Sequence, residues 1–155
     1  MSNKMVIIRR AVGAIIGWTD NPGNVLLVKK VRTEDITKEA IPPEWDIPKG
    51  GLKDQERDVD GLWRELAEEV GSSEFRLVQK LPFGMNFPFP PKSKWDKQET
   101  SLFYLEYSGP PMKFEPDTDE ISEVKWFPLE EAKRTVSYGT TLMVIEESER
   151  LGLLR

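Results

Sequence analysis

The chain has 155 residues with 27 acidic and 22 basic side chains, a net charge of −5, and neither cysteine nor histidine. This composition excludes disulfides, thiol nucleophiles, cysteine-based zinc sites, serine–histidine–aspartate triads and imidazole bases. Any catalysis has to use carboxylates, Lys, Arg, Tyr, Ser or Thr and backbone amides. A hard metal ion is the expected cofactor. Length and composition predict one globular domain over residues 1–155.

The absence of cysteine fits a cytoplasmic protein, and that location is our expectation. Met1–Arg10 does not resemble a signal peptide, because its apolar stretch at Met5–Ile8 is short and is followed at once by two arginines. No run reaches the roughly 20 apolar residues that span a bilayer, so we expect no membrane association.

The first predicted elements are two β-strands. A mostly apolar or β-branched stretch at Met5–Trp18 predicts the first strand, and Val25–Val31 predicts the second. Asp20–Asn24 is a dense turn signal between them, so the two strands are expected to form a hairpin. A polar loop is expected over Arg32–Glu44.

A helix is predicted over Asp58–Val70, where large apolar residues recur at four-residue spacing. Asp58 is expected as its N-cap or as a first-turn acid, and Gly71 as its C-terminal stop. The later predicted elements are strands at Phe75–Phe83, Ser101–Tyr107 and Val124–Phe127, a proline-rich loop at Pro82–Lys94, and helices at Leu129–Val136 and Thr140–Leu151. Strands on both sides of a central helix, with helices at the end, predict an α/β sandwich with a mixed sheet.

Three glutamates share one face of the predicted central helix. Glu65, Glu68 and Glu69 stand at i, i+3 and i+4, where like charges cost an isolated helix roughly 0.2–0.5 kcal/mol per pair. A bound divalent cation would offset this repulsion, because Mg²⁺ and Mn²⁺ prefer oxygen ligands. Taken alone, the three residues are equally compatible with an exposed acidic face that has Arg64 nearby.

The residues upstream of the helix favour the metal site. The string Gly50-x5-Glu56-x7-Arg64-Glu65-Leu66-x-Glu68-Glu69-x-Gly71 resembles the Nudix box, the signature of the Nudix hydrolases. It departs from that signature only at the last position, where Ser72 replaces an aliphatic residue. The resemblance implies a Nudix-type α/β/α sandwich with a mixed β-sheet, and the order of elements from Arg9 to the C-terminus is similar to the family as well.

The resemblance also implies roles for the charged residues of the box. Glu65, Glu68 and Glu69 would hold the metal, Mg²⁺ or Mn²⁺, often together with Glu56. Arg64 would orient a glutamate through a salt bridge and would not touch the substrate.

A substrate-binding set is implied around the start of the box. Gly50 and Gly51 allow backbone dihedrals and close approaches that a side chain would block, so the loop can fold over the helix and bring Glu56 towards the other glutamates. Lys49 occupies a position that can approach phosphate in relatives, although a solvated lysine is the alternative. Arg9 belongs to a stretch similar to an arginine-bearing N-terminal strand of RNA pyrophosphohydrolases and plant-type dinucleoside tetraphosphate hydrolases.

Nudix enzymes hydrolyse a nucleoside diphosphate linked to another group, by attack of water on phosphorus within a pyrophosphate. With no histidine in the chain, the base should be a carboxylate, with Glu68 and Glu69 as candidates within the box. Glu120 is the candidate outside it, because it matches a glutamate six residues before a tryptophan in diadenosine tetraphosphate hydrolases and bacterial RNA pyrophosphohydrolases. An ordinary loop acid is the alternative for Glu120. Three neighbouring acids could substitute for it: Asp117, Asp119 and Glu123.

Two further segments resemble the same enzymes. Trp45–Gly51 is similar to their Trp-x-x-Pro-[Lys/Gln]-Gly-Gly segment, and Leu129–Tyr138 to a region where they place an aromatic side chain near a base. Tyr138 could therefore stack on a nucleobase, although a structural tyrosine is equally compatible. Phe83, Phe87 and Phe89 could line the same pocket, but core or loop packing is favoured for at least two of them. Gly139-Thr140-Thr141 replaces the Lys-Arg pair that often follows the aromatic residue, which removes a basic support for long polyphosphates or RNA.

These observations predict a Mg²⁺- or Mn²⁺-dependent pyrophosphohydrolase of nucleotide polyphosphates, with dinucleoside polyphosphates such as diadenosine tetraphosphate as the leading substrates. The alternatives are removal of pyrophosphate from an RNA 5′ end, house-cleaning of nucleoside triphosphates, and a catalytically silent domain that senses a nucleotide. The net charge of −5 argues against a broad RNA-binding face, though not against grip on one 5′ end. No DNA partner is expected, and the chain is expected to be a monomer or a homodimer.

Overall fold

The computed structural model describes residues 5–33 and 40–154, and within those ranges it contains seven strands and three helices. The strands are β1 (Ile8–Trp18), β2 (Asn24–Thr33), β3 (Ala40–Asp46), β4 (Lys49–Gly51), β5 (Arg76–Pro88), β6 (Lys97–Tyr107) and β7 (Ile121–Pro128). The helices are α1 (Asp58–Glu69), α2 (Leu129–Thr135) and α3 (Gly139–Arg150). The strands form one sheet in the order β3-β2-β1-β6-β5, with β4 paired to β1 and β7 paired to β2.

The sheet is mixed because β1 runs parallel to β6 along its whole length, whereas the other pairs are antiparallel. The predicted hairpin of β1 and β2 is confirmed as an antiparallel pair of neighbouring strands, but their pairing is limited to Gly17↔Val25, next to the turn. The reason is competition for the same edge of β1, where Val12 pairs with Gly50 of β4. β2 instead pairs with β7 and β3.

Helices cover both faces of this sheet. Ile15 of β1 belongs to a buried cluster with Ala132 of α2 and Ile145 of α3. Its neighbour Ile16 points to the opposite face and belongs to a second cluster with Leu62 of α1. Alternation along β1 therefore separates two cores, which confirms the predicted α/β/α sandwich. The predicted ends of α2 and α3 are confirmed to within one residue.

Helix α1 agrees with its prediction at both ends. Asp58 is a first-turn acid, because Arg57 is the N-cap residue. The Lys80 ammonium donates to Asp58 at 2.9 Å, and this hydrogen bond lowers the pKa of the carboxyl. Gly71 stops the helix with a φ of 74°, and its N–H donates to the Leu66 carbonyl.

Two predicted loops are shorter than expected. The loop predicted at Arg32–Glu44 is shortened at both ends, because β2 continues to Thr33 and β3 begins at Ala40. Residues 34–39 lie outside the described residues. The proline-rich loop predicted at Pro82–Lys94 begins later, because β5 continues to Pro88, which pairs with Lys97. β5 is the last strand on its side of the sheet, and an edge strand tolerates proline because one row of its backbone groups needs no partner.

No helix in the described part of the chain is long and apolar enough to cross a membrane.

Candidate active site

A cleft of about 390 Å³ lies where α1, β1, β4 and the segment before β7 meet, and we call it the glutamate cleft. Its wall contains most of the predicted site residues, namely Arg9, Lys49, Gly50, Gly51, Glu65, Glu68, Glu69 and Glu120. Lys30, Val31, Gln98, Thr118 and Ile121 complete the lining. The tertiary structure thus brings together acids from one helix, an acid from a distant loop, and basic residues from three strands.

The short strand β4 lies directly against the acidic face of α1. A Cβ atom at Gly50 would overlap the carboxylate of Glu65, and the Lys49 N–H donates to Glu69 Oε1 at 3.0 Å. The close approach predicted for the glycines is therefore present. The unusual backbone dihedrals are not, since neither Gly50 nor Gly51 has a positive φ.

Arg64 joins the glutamates at the back of the cleft. Its guanidinium donates to both carboxylate oxygens of Glu56, at 2.8 and 2.9 Å, and to Glu65 at 2.8 Å. It also lies 3.5 Å from Glu68 Oε1. The hydrogen bonds from Arg64 and from a backbone N–H lower the pKa of Glu56 to about 2. Arg64 and Glu56 do not line the cleft, so Arg64 contacts the cleft glutamates from behind.

The acids of the helix differ in exposure. The Glu68 side chain is 45% exposed, whereas Glu65 and Glu69 are buried. Burial raises the pKa of Glu65 and raises that of Glu69 to about 7, even though the Lys30 Nζ lies 4.0 Å from Glu69 Oε2. Desolvation of the ionised carboxylates therefore outweighs the attraction of the neighbouring cations.

The chemistry of these side chains suits a divalent cation. All the donors are carboxylate oxygens, the type preferred by Mg²⁺ and Mn²⁺, and positive charge would stabilise the buried acids in their ionised form. Within the described residues no three acidic side chains are arranged to hold a metal ion, and Arg64 forms ion pairs with Glu65 and Glu56. Glu65, Glu68 and Glu69 are the residues that would hold the ion. Glu56, which the sequence also predicted as a ligand, does not line the cleft.

Glu120 reaches the same cleft from outside the helix. Its carbonyl accepts a hydrogen bond from the Val31 N–H at 2.8 Å, which ties the segment before β7 to β2. Of the acids named as its substitutes, Asp117, Asp119 and Glu123 do not line the cleft.

Tyr138 lies in an adjoining cleft of about 530 Å³, which we call the Tyr138 cleft. Tyr138 is 38% exposed, its hydroxyl donates to Glu44, and the Lys49 ammonium lies 5.7 Å from the ring centroid. Phe87 and Phe89 also line this cleft. Phe83, the third predicted phenylalanine, packs against the α2–α3 side of the core. The Tyr138 cleft shares four lining residues with the glutamate cleft, namely Arg9, Lys30, Lys49 and Gln98.

Two buried polar residues of these clefts were not predicted. Asp46 accepts hydrogen bonds from Thr141 and from the Ile47 N–H, and its Oδ2 lies 3.0 Å from the Lys49 Nζ. Gln98 accepts from the Arg9 guanidinium at 2.5 Å and so positions that arginine. For Asp46 the available signal was a charged residue between two apolar ones, Trp45 and Ile47. Gln98 stands between Lys97 and Glu99, so its neighbours gave no such signal.

Comparisons with known proteins agree with this geometry. The family model of the NUDIX domain matches residues 8–142. An RNA pyrophosphohydrolase of Nitratiruptor sp. is 27% identical over 117 residues, which cover 71% of this chain and 75% of that protein.

Two solved structures share the fold. A Caenorhabditis elegans Ap4A hydrolase, in a binary complex, has a TM-score of 0.69 and 16% identity over 92% of this chain and 96% of its own. The NUDIX domain of Shewanella oneidensis NrtR, complexed with ADP ribose, has a TM-score of 0.65 and 21% identity over 96% and 90%. Because the family match spans both the glutamate helix and the strands around it, the chain belongs to the Nudix hydrolase family.

Proposed function

We propose that this chain cleaves the polyphosphate of a nucleotide in the glutamate cleft, with dinucleoside polyphosphates such as diadenosine tetraphosphate as the leading substrates. The observation that carries the proposal is the contact between two clefts of different character. One is lined by glutamates, the other by Tyr138, Phe87 and Phe89, and basic residues line both. A single ligand can therefore place its phosphates in the first cleft and its base in the second.

The basic residues shared by the two clefts suit the phosphates. Arg9, Lys30 and Lys49 offer charge-assisted hydrogen bonds to phosphate oxygens. The buried Gln98 fixes the Arg9 guanidinium, so that little freedom is lost when a phosphate binds.

The carboxylates divide between cation binding and proton transfer. Glu65, Glu68 and Glu69 would hold Mg²⁺ or Mn²⁺, which when bound neutralises phosphate oxygens and lowers the pKa of a water molecule. We assign removal of the water proton to Glu120, because it lines the cleft from outside the helix and is not needed as part of the helical donor set.

Replacement of Glu68 by glutamine tests the role of the helix. The side chain is 45% exposed and glutamine has the same shape, so the fold should persist while one charge is lost from the cleft. We expect kcat to fall roughly 100-fold or more, the scale of losing one electrostatic contact to the transition state. Glu130→Gln, at a 72% exposed acid on α2, is the matched control. Turnover like that of the wild type in Glu68→Gln would contradict the assignment.

The substrate class is tested with a panel of dinucleoside polyphosphates, 5′-triphosphate RNA, nucleoside triphosphates and nucleotide sugars. Each is incubated with Mg²⁺ and with Mn²⁺, and the products are identified by mass spectrometry. We expect the highest kcat/KM for a dinucleoside polyphosphate. Binding of a nucleotide without hydrolysis of any panel member would favour a sensing role instead.

Removal of pyrophosphate from an RNA 5′ end is the second candidate function. The names of two relatives support it, because RNA pyrophosphohydrolases of Nitratiruptor sp. and Bartonella henselae are 27% and 26% identical to this chain. The net charge of −5 restricts such binding to the end of the RNA. A higher kcat/KM on 5′-triphosphate RNA than on any dinucleoside polyphosphate would favour this function.

A further inference from the structure

A third cleft, of about 550 Å³, adjoins the glutamate cleft and contains the indole of Trp95; we call it the Trp95 cleft. It shares Arg9, Gly51 and Glu65 with the glutamate cleft, but only Arg9 with the Tyr138 cleft. The glutamate cleft therefore connects two side clefts, each with an aromatic residue in its wall.

The charge of the Trp95 cleft suits an anion. Its wall contains four basic residues, Arg9, Arg10, Lys53 and Lys94, against two acidic ones, Asp54 and Glu65. Glu65 is also ion-paired with Arg64, which leaves the positive charge in excess. Phosphate oxygens are the anionic groups expected next to a pyrophosphate-cleaving site.

The Trp95 side chain is half-buried and lies close to a second ring and to two cationic groups. It packs against the Phe89 ring at 5.6 Å between centroids, and the Arg9 guanidinium lies 5.4 Å from its centroid. Lys94, an exposed side chain, places its ammonium 4.5 Å from the same ring. A planar base can take the place of that exposed side chain, because stacking on an aromatic ring accepts any nucleobase.

Arg9 stands at the junction of all three clefts. Its Nη1 donates to the buried Gln98, and a Cβ atom at Gly51 would overlap its guanidinium. The glycine is therefore required for the arginine to occupy this position. A polyphosphate bound across Arg9 can reach Tyr138 in one direction and Trp95 in the other.

We propose that the Trp95 cleft holds the second nucleoside of a dinucleoside polyphosphate, with its base against Trp95 and its phosphates against Arg10 and Lys53. The proposal rests on the proposed function and deepens it, because it assigns a site to each end of a substrate that has two nucleosides. A nucleoside triphosphate, which has one base, fills only one of the two side clefts. This difference would make the enzyme select dinucleoside polyphosphates over nucleoside triphosphates.

The test compares the binding of diadenosine tetraphosphate and ATP by isothermal titration calorimetry, with a chelator present so that no turnover occurs. We expect Trp95→Ala to weaken the dinucleotide about tenfold, the scale of one lost base stack, and to weaken it at least about fivefold more than ATP. Trp95→Phe keeps an aromatic ring and should recover most of the affinity. Tyr138→Ala, in the other side cleft, should weaken both ligands to a similar extent.

Equal losses for the two ligands in Trp95→Ala, or no loss for either, would overturn the proposal. So would an equal loss for a 5′-triphosphate RNA dinucleotide, because the cleft would then accept an RNA nucleotide. Lys53→Gln, at an exposed side chain, is the second variant if Trp95→Ala does not fold, and it should also weaken the tetraphosphate more than ATP. If the wild type hydrolyses no dinucleoside polyphosphate, the proposed function fails, and the binding comparison still decides what the Trp95 cleft holds.

Discussion

Single glutamates of the site behave differently because their surroundings differ. Glu56 is hydrogen-bonded by Arg64, which lowers its pKa to about 2, so it is ionised at every physiological pH. Glu69 is buried, which raises its pKa to about 7. Carboxyl groups with separated pKa values, close together in one site, are typical of divided roles in catalysis. We infer that Glu56 holds the Arg64 guanidinium in position and that Glu69 is available to bind a cation.

A variant of Glu120 tests proton transfer while the glutamates of the helix, which would bind the cation, stay unchanged. We expect Glu120→Gln to lower kcat by about 100- to 1,000-fold, the lower part of the range for a general base, with a smaller change in KM. Glu123→Gln is the matched control, because Glu123 is an exposed acid nearby on β7 and does not line the cleft. The measurement is a pH–rate profile of each variant. An unchanged profile for Glu120→Gln between pH 6 and pH 9 would show that Glu120 is not the base.

At the scale of elements, the site depends on how β4 fits between β1 and α1. β4 pairs with β1 through Val12↔Gly50, and its other side faces the acids of α1. The Gly51 carbonyl accepts a hydrogen bond from Arg64 at 2.9 Å, so the same arginine that holds the glutamates also holds the strand. The strand and the helix are therefore one unit, and displacing either displaces the cleft.

Gly50→Ala tests this unit. The added methyl group would overlap the Glu65 carboxylate, so the side chain has to move, with a loss of about 1–3 kcal/mol in the free energy of unfolding. We also expect kcat/KM to fall by at least about tenfold, since misplacement by about 1 Å has effects of this size or larger.

Gly139→Ala is the matched control for stability. A Cβ atom at Gly139 has no neighbour within 4 Å, and the residue begins α3, so alanine should leave the stability unchanged or raise it by up to about 1 kcal/mol. Urea denaturation of both variants and the wild type measures the difference. Equal stability of Gly50→Ala and Gly139→Ala would contradict the close packing of β4 on α1.

At the scale of the whole molecule, the buried acids couple the stability of the fold to pH. The pKa of Glu69 is about 7 in the folded chain against an ordinary value of 4.5, so between those values the folded chain binds more protons than the unfolded chain. Stability contributed by this group is therefore present at low pH and is lost as the pH rises towards 7. Burial raises the pKa of Glu65 as well, which acts in the same direction.

Glu69→Gln should remove most of this dependence. With a chelator present, we expect the variant to match the wild type near pH 5 and to be more stable by about 1–3 kcal/mol near pH 8, since glutamine has no charge to desolvate. Chemical denaturation at the two pH values measures the difference. At pH 8, Mg²⁺ or Mn²⁺ should reduce the difference in free energy of unfolding, because the ion stabilises the wild type more than the variant. A constant difference across the pH range would contradict the burial of an ionisable Glu69.

The sequence predicted local structure best where that structure depends on a short pattern of neighbouring residues. The apolar spacing of α1 and the glycine that ends it depend on neighbours within a few residues, and both were confirmed. Strand ends and pairing depend on distant partners. The extension of β5 to Pro88 follows from its pairing with β6, and the pairing of β1 with β2 is short because β4 pairs with the same edge of β1.

The sequence by itself determined the family, the sandwich and the acidic face of α1, because the spacing of Gly50, Glu56, Arg64 and the glutamates is a short-range property of the chain. Only the tertiary structure decided what surrounds that face. It placed Glu120 in the glutamate cleft and Glu56 behind it, and it brought Tyr138 and Trp95 into separate neighbouring clefts. The physical reason is that burial, ion pairing and cleft shape depend on which distant segments the sheet brings into contact, and strand pairing is not encoded in local residue spacing.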